Sequence, residues 1–517
     1  MEKEFFHTVE RDTVYLECGC EHTLPDYQGD IKKILSHKAR VVLNGKYVSG
    51  SEIEYAGTVK FSVSYLDSDG KLTTSEFSTD IENSFEIDEE RYADSGIEAR
   101  LVNYSVRPSG PRKFSAKATL GCQASICERA SLCISGDGLA DGMSPEMLEH
   151  EVEIRRSMWG KSGEVEYSDE LGRISDVAAD DIEILAISGE VKVNEARATV
   201  GGVIAVGTLE LTAIISTPEQ PAFAIRKSVP FEELIPIDGA EGEMGAVAYG
   251  ELQRAETSLT VEEDGDVAVG FVTQVEYTAR ADSNFPLTVV RDAYLTSAET
   301  TADYSDFKGE RFILNKYVPV SISSECAKAD CGCEGAHGIV STNHSIKLGE
   351  ASVLHDRVDV SGEITFSGIA CQINEDGKVE YCNYKFTSPF SESVKLDAPL
   401  PEGARVACKL CGASSALTLD STDAFGKCEA VLAITVSAPF VERVLTSVEK
   451  TEDITPCENG ACVTVCFPDK DDTLWEIAKR YHTTVRDIAV NNSLAEETVA
   501  SASSSGGLRS VKKLLIL

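Results

Sequence analysis

The sequence predicts a mainly β, multidomain protein: three antiparallel sandwich- or barrel-like repeats followed by a small βααβ unit. Three observations lead there. At 517 residues the chain is too long for one hydrophobic core. Apolar residues alternate with period two through three segments that share one plan. The last stretch, 461–517, changes to a helical period.

The first repeat opens with "KARVVLNGKYVSGSEIEYAGTVKFSVSYLDSDGK" from Lys38, where Val59, Phe61, Val63 and Tyr65 face one way and Lys60, Ser62 and Ser64 the other. The second runs from Ile184, with Leu209, Leu211 and Ala213 alternating, and the third from Ile339, with Ile364, Phe366 and Gly368. Each continues into a second strand ("SEFSTDIENSFEI", "FAIRKSVPFEELIPI", "YKFTSPFSESVKL"), and "DSDGK" and "NEDGK" supply tight-turn chemistry between strands one and two of the first and third repeats. Gly57, Gly207 and Gly362 recur at a spacing of about 150 residues, far above solenoid periods, so these are repeated domains. The expected division is an N-terminal segment 1–34, β domains at 35–130, 180–285 and 336–445, linkers at 131–179, 286–335 and 446–460, and the helical unit at 461–517. The first linker, with "GDGLADGM" and "SPEMLEHEVEIRRSMW", is expected to carry a short helical patch.

A formal charge of −38 argues against nucleic acid as a partner, because nothing here would replace phosphate counterions. It equally disfavours anionic lipid, and no run approaches the roughly 18 apolar residues of a membrane-inserted helix. The opening "MEKEFFHTVERDTVYLE" has no apolar signal core, so a cytoplasmic location is expected. Sixteen cysteines are then read as reduced thiols. Cys326, Cys331 and Cys333, then Cys408 and Cys411, then Cys457, Cys462 and Cys466 form clusters, but none has paired CxxC spacing; no metal and no cofactor are expected. "WGKSG" at Trp159 lacks the first glycine of a phosphate loop, since Arg155 stands there. With no GxSxG, HExxH or dinucleotide fingerprint, the expectation is a non-enzymatic protein.

The tail reads "DDTLWEIAKRYHTTVRDIAVNN" from Asp471. Thr473 caps a helix and Glu476 closes the capping box; Leu474, Ile477, Ala478 and Tyr481 share its inner face. Thr484 and Asp487 repeat the device for a second helix, with Val485, Ile488 and Ala489 inside. Extended runs, Val463 to Phe467 and "KKLLIL", flank the pair.

These residues closely resemble the LysM signature, at Asp472, Thr473, Leu474, Trp475, Ile477, Ala478, Tyr481, Ile488 and Asn491. The three repeats resemble SPOCS domains of sporulation proteins, and the combination resembles the SipL family of spore coat morphogenetic proteins. The resemblance implies a scaffold in the mother-cell cytoplasm, at the forespore surface. It would bind the coat morphogenetic ATPase SpoIVA through the LysM domain and offer the β domains to other coat proteins. The alternative is an envelope protein binding peptidoglycan or another N-acetylglucosamine polymer. Two loops weigh against it: Asp471 takes a position where the family usually has glycine, and the stretch from Ser493 is long and rich in Ser and Gly. From Val463 onward seven acids balance seven bases, a mixed-charge surface suited to a protein partner. The expected partner-binding residues are Trp475, the leading anchor, with Val463, Lys470, Asp472 and Thr473.

Overall fold

Period-two alternation builds strands that pair in the same way in each repeat. The structure is a computed structural model and describes residues 2–135, 144–218, 220–376, 378–454, 463–469, 472–494, 508 and 511–516. The first repeat comprises β1 (Glu2–Glu10), β2 (Val14–Thr23), β3 (Ile31–Ser49), β4 (Glu52–Asp67), β5 (Leu72–Glu86), β6 (Tyr92–Gly110) and β7 (Lys113–Cys133). Strand β7 is the spine of one sheet: its C-terminal half pairs with β1, its N-terminal half with β2, and its other edge with β6. Strands β3-β4-β5 form the second sheet.

The second repeat follows the same order with β8 (Glu146–Lys161), β9 (Val165–Ile174), β10 (Glu183–Thr199), β11 (Gly202–Ser216), β12 (Phe223–Pro236), β13 (Gly245–Val261) and β14 (Val267–Tyr294). Here β14 is the spine, flanked by β8, β9 and β13, and β10-β11-β12 lie opposite. In the third, β15 (Ala298–Ala327) runs unbroken where the others use two strands. A single turn, α1 (Lys328–Cys331), leads to β16 (Gly338–Leu348), β17 (Ser352–Leu354), β18 (Arg357–Ile373), β19 (Val379–Lys395), β20 (Arg405–Leu419) and the spine β21 (Asp423–Asp453).

In the first repeat Val59, Phe61, Val63 and Tyr65 of β4 pack on Phe114, Ala116, Leu120 and Cys122 of β7. Burial of each large side chain contributes about 1.5–3 kcal/mol. The sheets are open and face one another as sandwiches; none closes into a barrel. The repeat glycines have a steric reason. A Cβ on Gly57, Gly207 or Gly362 would meet the carbonyl oxygen of Val42, Lys192 or Lys347 at 2.6, 2.1 and 2.5 Å. In the "DSDGK" turn Gly70 has φ +82, and the Asp67 carboxylate accepts from the backbone of Asp69 and Lys71.

The segments expected as linkers are strands. Residues 146–161 and 165–174 form β8 and β9, 298–327 form β15, β21 extends to Asp453, and β1 and β2 occupy the N-terminal segment. The expected helical patch in "SPEMLEHEVEIRRSMW" is therefore corrected: β8 alternates Val152 and Ile154 inward and pairs with β14 from Thr278 to Tyr294. Its Glu, Met and Leu favour helix locally, but the ladder with β14 outweighs that preference. "GDGLADGM" lies outside the described residues.

The extra strands bring the repeats together. The far halves of β1·β7, β8·β14 and β15·β21 meet through Phe5, Ile154, Leu287, Val289, Phe307 and Val444. Beside that apolar contact, Arg155 donates to Asp282 at 3.1 Å and lies 3.5 Å from Glu10 of the first repeat and 3.8 Å from Glu310 of the third. Arg280, Ser157 and Asn315 also donate to the Asp282 carboxylate. Burial alone would raise that carboxyl's pKa; the two arginines and the hydroxyl and amide donors outweigh it and hold it at about 2.

Candidate functional site

Beyond β21 the chain forms β22 (Thr464–Cys466), α2 (Leu474–Arg480), α3 (Val485–Asn491) and β23 (Leu514–Ile516), with β22 and β23 antiparallel. The order is the βααβ expected. Thr473 accepts from the Glu476 amide while Glu476 accepts from the Thr473 amide, a complete capping box, and Thr484 caps α3 by accepting from Asp487. Leu474, Ile477, Ala478, Ile488, Leu514, Ile516 and Cys466 make the small core. Asn492 ends α3 and exchanges hydrogen bonds with the backbone of Leu515, so it ties β23 to the helices.

This unit presents two faces that differ in what covers them. On the outer side of the two-stranded sheet, Val463, Val465, Phe467 and Leu515 are all exposed, with Val465 and Leu515 directly opposite across the strands. Val490 on α3 is exposed as well. Such apolar exposure on so small a domain is a feature of interaction surfaces.

The other face rests on the tip of the second repeat. Trp475 Nε1 donates to Asp292 Oδ2 at 2.8 Å, and Lys479 Nζ lies 2.7 and 2.8 Å from the two oxygens of the same carboxylate. Tyr304 donates to Asp292 Oδ1 at 2.8 Å. The indole meets the Tyr294 ring edge-on at 4.9 Å, and Tyr294 Oη donates to the Thr483 carbonyl at 2.7 Å. His482 Nε2 lies 3.1 Å from Glu299. Partial burial pushes the Asp292 carboxyl upward, but the Lys479, Trp475 and Tyr304 donors prevail and hold it below the ordinary aspartate value.

Trp475 is therefore only 6 % exposed, and the anchor expected to be offered outward is engaged within the chain. Its place off the inner stripe of α2 signalled a contact outside the domain core; nothing local identified Asp292, 183 residues away. Val463 is 54 % exposed, on the outward face. Asp472 accepts from the Asp469 amide at 2.9 Å and from Arg480 at 3.1 Å, so it braces the loop into α2, while Thr473 is spent on the cap. Lys470 and Asp471 lie outside the described residues, as do Cys457 and Cys462 and most of the Ser/Gly-rich stretch after Ser493. Cys331 and Cys333 bring their sulfurs to 3.1 Å in a buried turn. Among the described residues no group of three or more His, Cys, Asp or Glu is placed to hold a metal ion. No helix among them is long and apolar enough to cross a membrane.

Comparison with known families gives two matches. The family "SipL, SPOCS domain" matches residues 181–260, which span β10 to β13 of the second repeat, and the LysM domain family matches 469–500. No curated protein and no solved structure matches the chain. Both matched domains are non-catalytic binding modules; the first points to a coat-related role in sporulation, the second to binding, of a glycan such as peptidoglycan in the general case. In its domains the chain is SipL-like: a SPOCS domain in the second repeat and a LysM domain beyond the third.

Proposed function

We propose that this chain is a non-enzymatic spore coat scaffold whose LysM domain binds the coat morphogenetic ATPase SpoIVA and so localises coat around the forespore, on its mother-cell cytoplasmic side. The observation that carries the reading is the exposed apolar face of the LysM unit, Val463, Val465, Phe467 and Leu515, flanked by charged side chains such as Lys512 and Lys513. Apolar anchors inside a charged rim suit a folded protein surface. The first and third repeats share the strand order of the matched SPOCS domain, so we read all three as SPOCS domains and as seats for further coat proteins. Peptidoglycan binding is the second reading, because it is what a LysM match by itself suggests.

The test is retention of the full chain on immobilised SpoIVA-like ATPase and, separately, on insoluble peptidoglycan. The expected result is retention on the ATPase alone, reduced at least tenfold by Val463→Glu, with the circular dichroism spectrum unchanged. Retention on peptidoglycan alone replaces the scaffold reading with the glycan one.

A further inference from the structure

The sequence Cys-Gly-Cys-Glu occurs twice, at Cys18–Glu21 and at Cys331–Glu334, and the fold gives it two different backbones. We propose that the second copy is a thiol–disulfide exchange site: Cys331 and Cys333 close into a disulfide at the expense of a low-molecular-weight disulfide, which reacts first at Cys326. In the first copy the residues lie within β2, with Cys18 and Cys20 half-buried on one face of an extended strand. A strand advances about 3.4 Å per residue, so these parallel side chains keep their Cβ atoms about 6.8 Å apart. A disulfide needs roughly 3.5–4.5 Å. In the second copy Cys331 is the last residue of α1 and Gly332 turns left-handed, with φ +89. The Cys333 amide thereby returns to donate to the Lys328 carbonyl at 3.0 Å, and the two sulfurs meet at 3.1 Å. Only about 1 Å of further approach separates them from an S–S bond. The glycine is required, since a Cβ on Gly332 would be strained at that φ and would meet the Asn383 carbonyl oxygen at 2.9 Å.

The surroundings set an order of events. Cys331 Sγ donates to the Lys328 carbonyl at 3.7 Å, which leaves its sulfur to accept from the Cys333 thiol. Both thiols are buried, and burial together with that hydrogen bond pushes Cys333 up to about 12, so it keeps its proton while the pair is reduced. Cys326, at the end of β15, is half-buried and has the Cys331 thiol beside it. The Cys326 thiolate attacks one sulfur of the small disulfide RSSR and expels the other as a thiolate, which takes up a proton to give RSH. The Cys331 thiolate then attacks Cys326 Sγ, a second RSH leaves, and the two cysteines are joined. Cys333 attacks Cys331 Sγ in turn; the bond to Cys326 breaks, and the proton of Cys333 passes to Cys326. The balance is one RSSR and two cysteine thiols giving one protein disulfide and two RSH, with two electrons passing from protein sulfur to the small disulfide. The ring so closed is too short for loop entropy to make it a strong staple, so the pair is suited to reversible exchange.

The experiment uses the full chain in glutathione buffers of graded oxidised-to-reduced ratio. Samples are quenched with acid, labelled with N-ethylmaleimide in denaturant and cut with trypsin without reductant. Trypsin separates the thiols: 12–32 carries Cys18 and Cys20, 317–328 carries Cys326, 329–347 carries Cys331 and Cys333, and 379–385 carries Cys382. The expected result is that 329–347 loses two hydrogens and takes no label at a ratio where 12–32, with the same four residues, still takes both labels. Cys326→Ser should reach the same product about tenfold more slowly. Equal oxidation of the two copies overturns the proposal. So does a 329–347 peptide that keeps both labels, or a bound glutathione, through the most oxidising buffer. An end product linking 329–347 to 317–328, or to 379–385, whose Cys382 stands near Cys333, overturns it as well. An unchanged rate in Cys326→Ser overturns the entry through Cys326.

Discussion

Two aspartates on one strand, ten positions apart, anchor two contacts of different character. Asp282 is fully buried where the three repeats meet and accepts from Arg155, Arg280, Ser157 and Asn315. Asp292, at the end of the same β14, is partly exposed and holds the LysM domain through Lys479 and Trp475, while Tyr304 of β15 donates to the same carboxylate. The donor chemistry is similar in kind; the surroundings differ. Two arginines in a dry junction cannot exchange for water without leaving buried charge, whereas one lysine at a solvent-facing seam can. The junction therefore joins repeats, and the seam positions a module.

The largest effect that can break this comparison is at Asp282. Asp282→Ala leaves Arg155 and Arg280 buried without their carboxylate and should cost about 3–5 kcal/mol, read as a fall in the urea midpoint of the whole chain. Asp292→Ala should leave that midpoint nearly unchanged; an equal fall in both variants would erase the distinction.

Acid sharpens it. Both carboxyls have folded values below their unfolded ones, so each contributes stability that is fully present above the unfolded value and is lost as pH falls through the folded one. Asp282 is held at about 2 by its two arginines, and Asp292 is held below the ordinary aspartate value by Lys479, Trp475 and Tyr304. In the chain labelled with 5-fluorotryptophan, acidification through the aspartate range should shift the Trp475 fluorine resonance as Asp292 is protonated and its contact with the Trp475 indole weakens. The smallest effect is Tyr294→Phe, which removes one 2.7 Å hydrogen bond to Thr483 and should weaken docking by about 1 kcal/mol, read as faster hydrogen exchange around residues 481–484.

Much of the fold was legible in the sequence because its signals are local. Period-two burial in β4, β11 and β18, the glycines pressed against a neighbouring carbonyl, and both helix caps depend on residues within one strand or one turn. The first strands of each repeat were missed for the opposite reason. β8 carries its helix-forming glutamates, Glu149, Glu151 and Glu153, on the exposed face, β15 likewise exposes Glu299, Asp303, Asp306 and Lys308, and the inward positions, such as Val152, Ile154 and Phe307, pack against the other repeats, so the signal that makes these segments strands lies outside them. The candidate site divides likewise. Val463 was expected on the first extended run, where a valine ordinarily faces inward, and its exposure shows only in the structure; the partner of Trp475 comes from another domain and left no mark near it in sequence.

The central claim, that the LysM unit is where this scaffold takes its protein partner, is tested most directly by a hydrogen–deuterium exchange footprint of the full chain with and without the SpoIVA-like ATPase. The account predicts slower exchange at 463–467 and 514–516, the exposed face of the two-stranded sheet. Slower exchange confined to the three repeats, with the LysM unit unchanged, would contradict it.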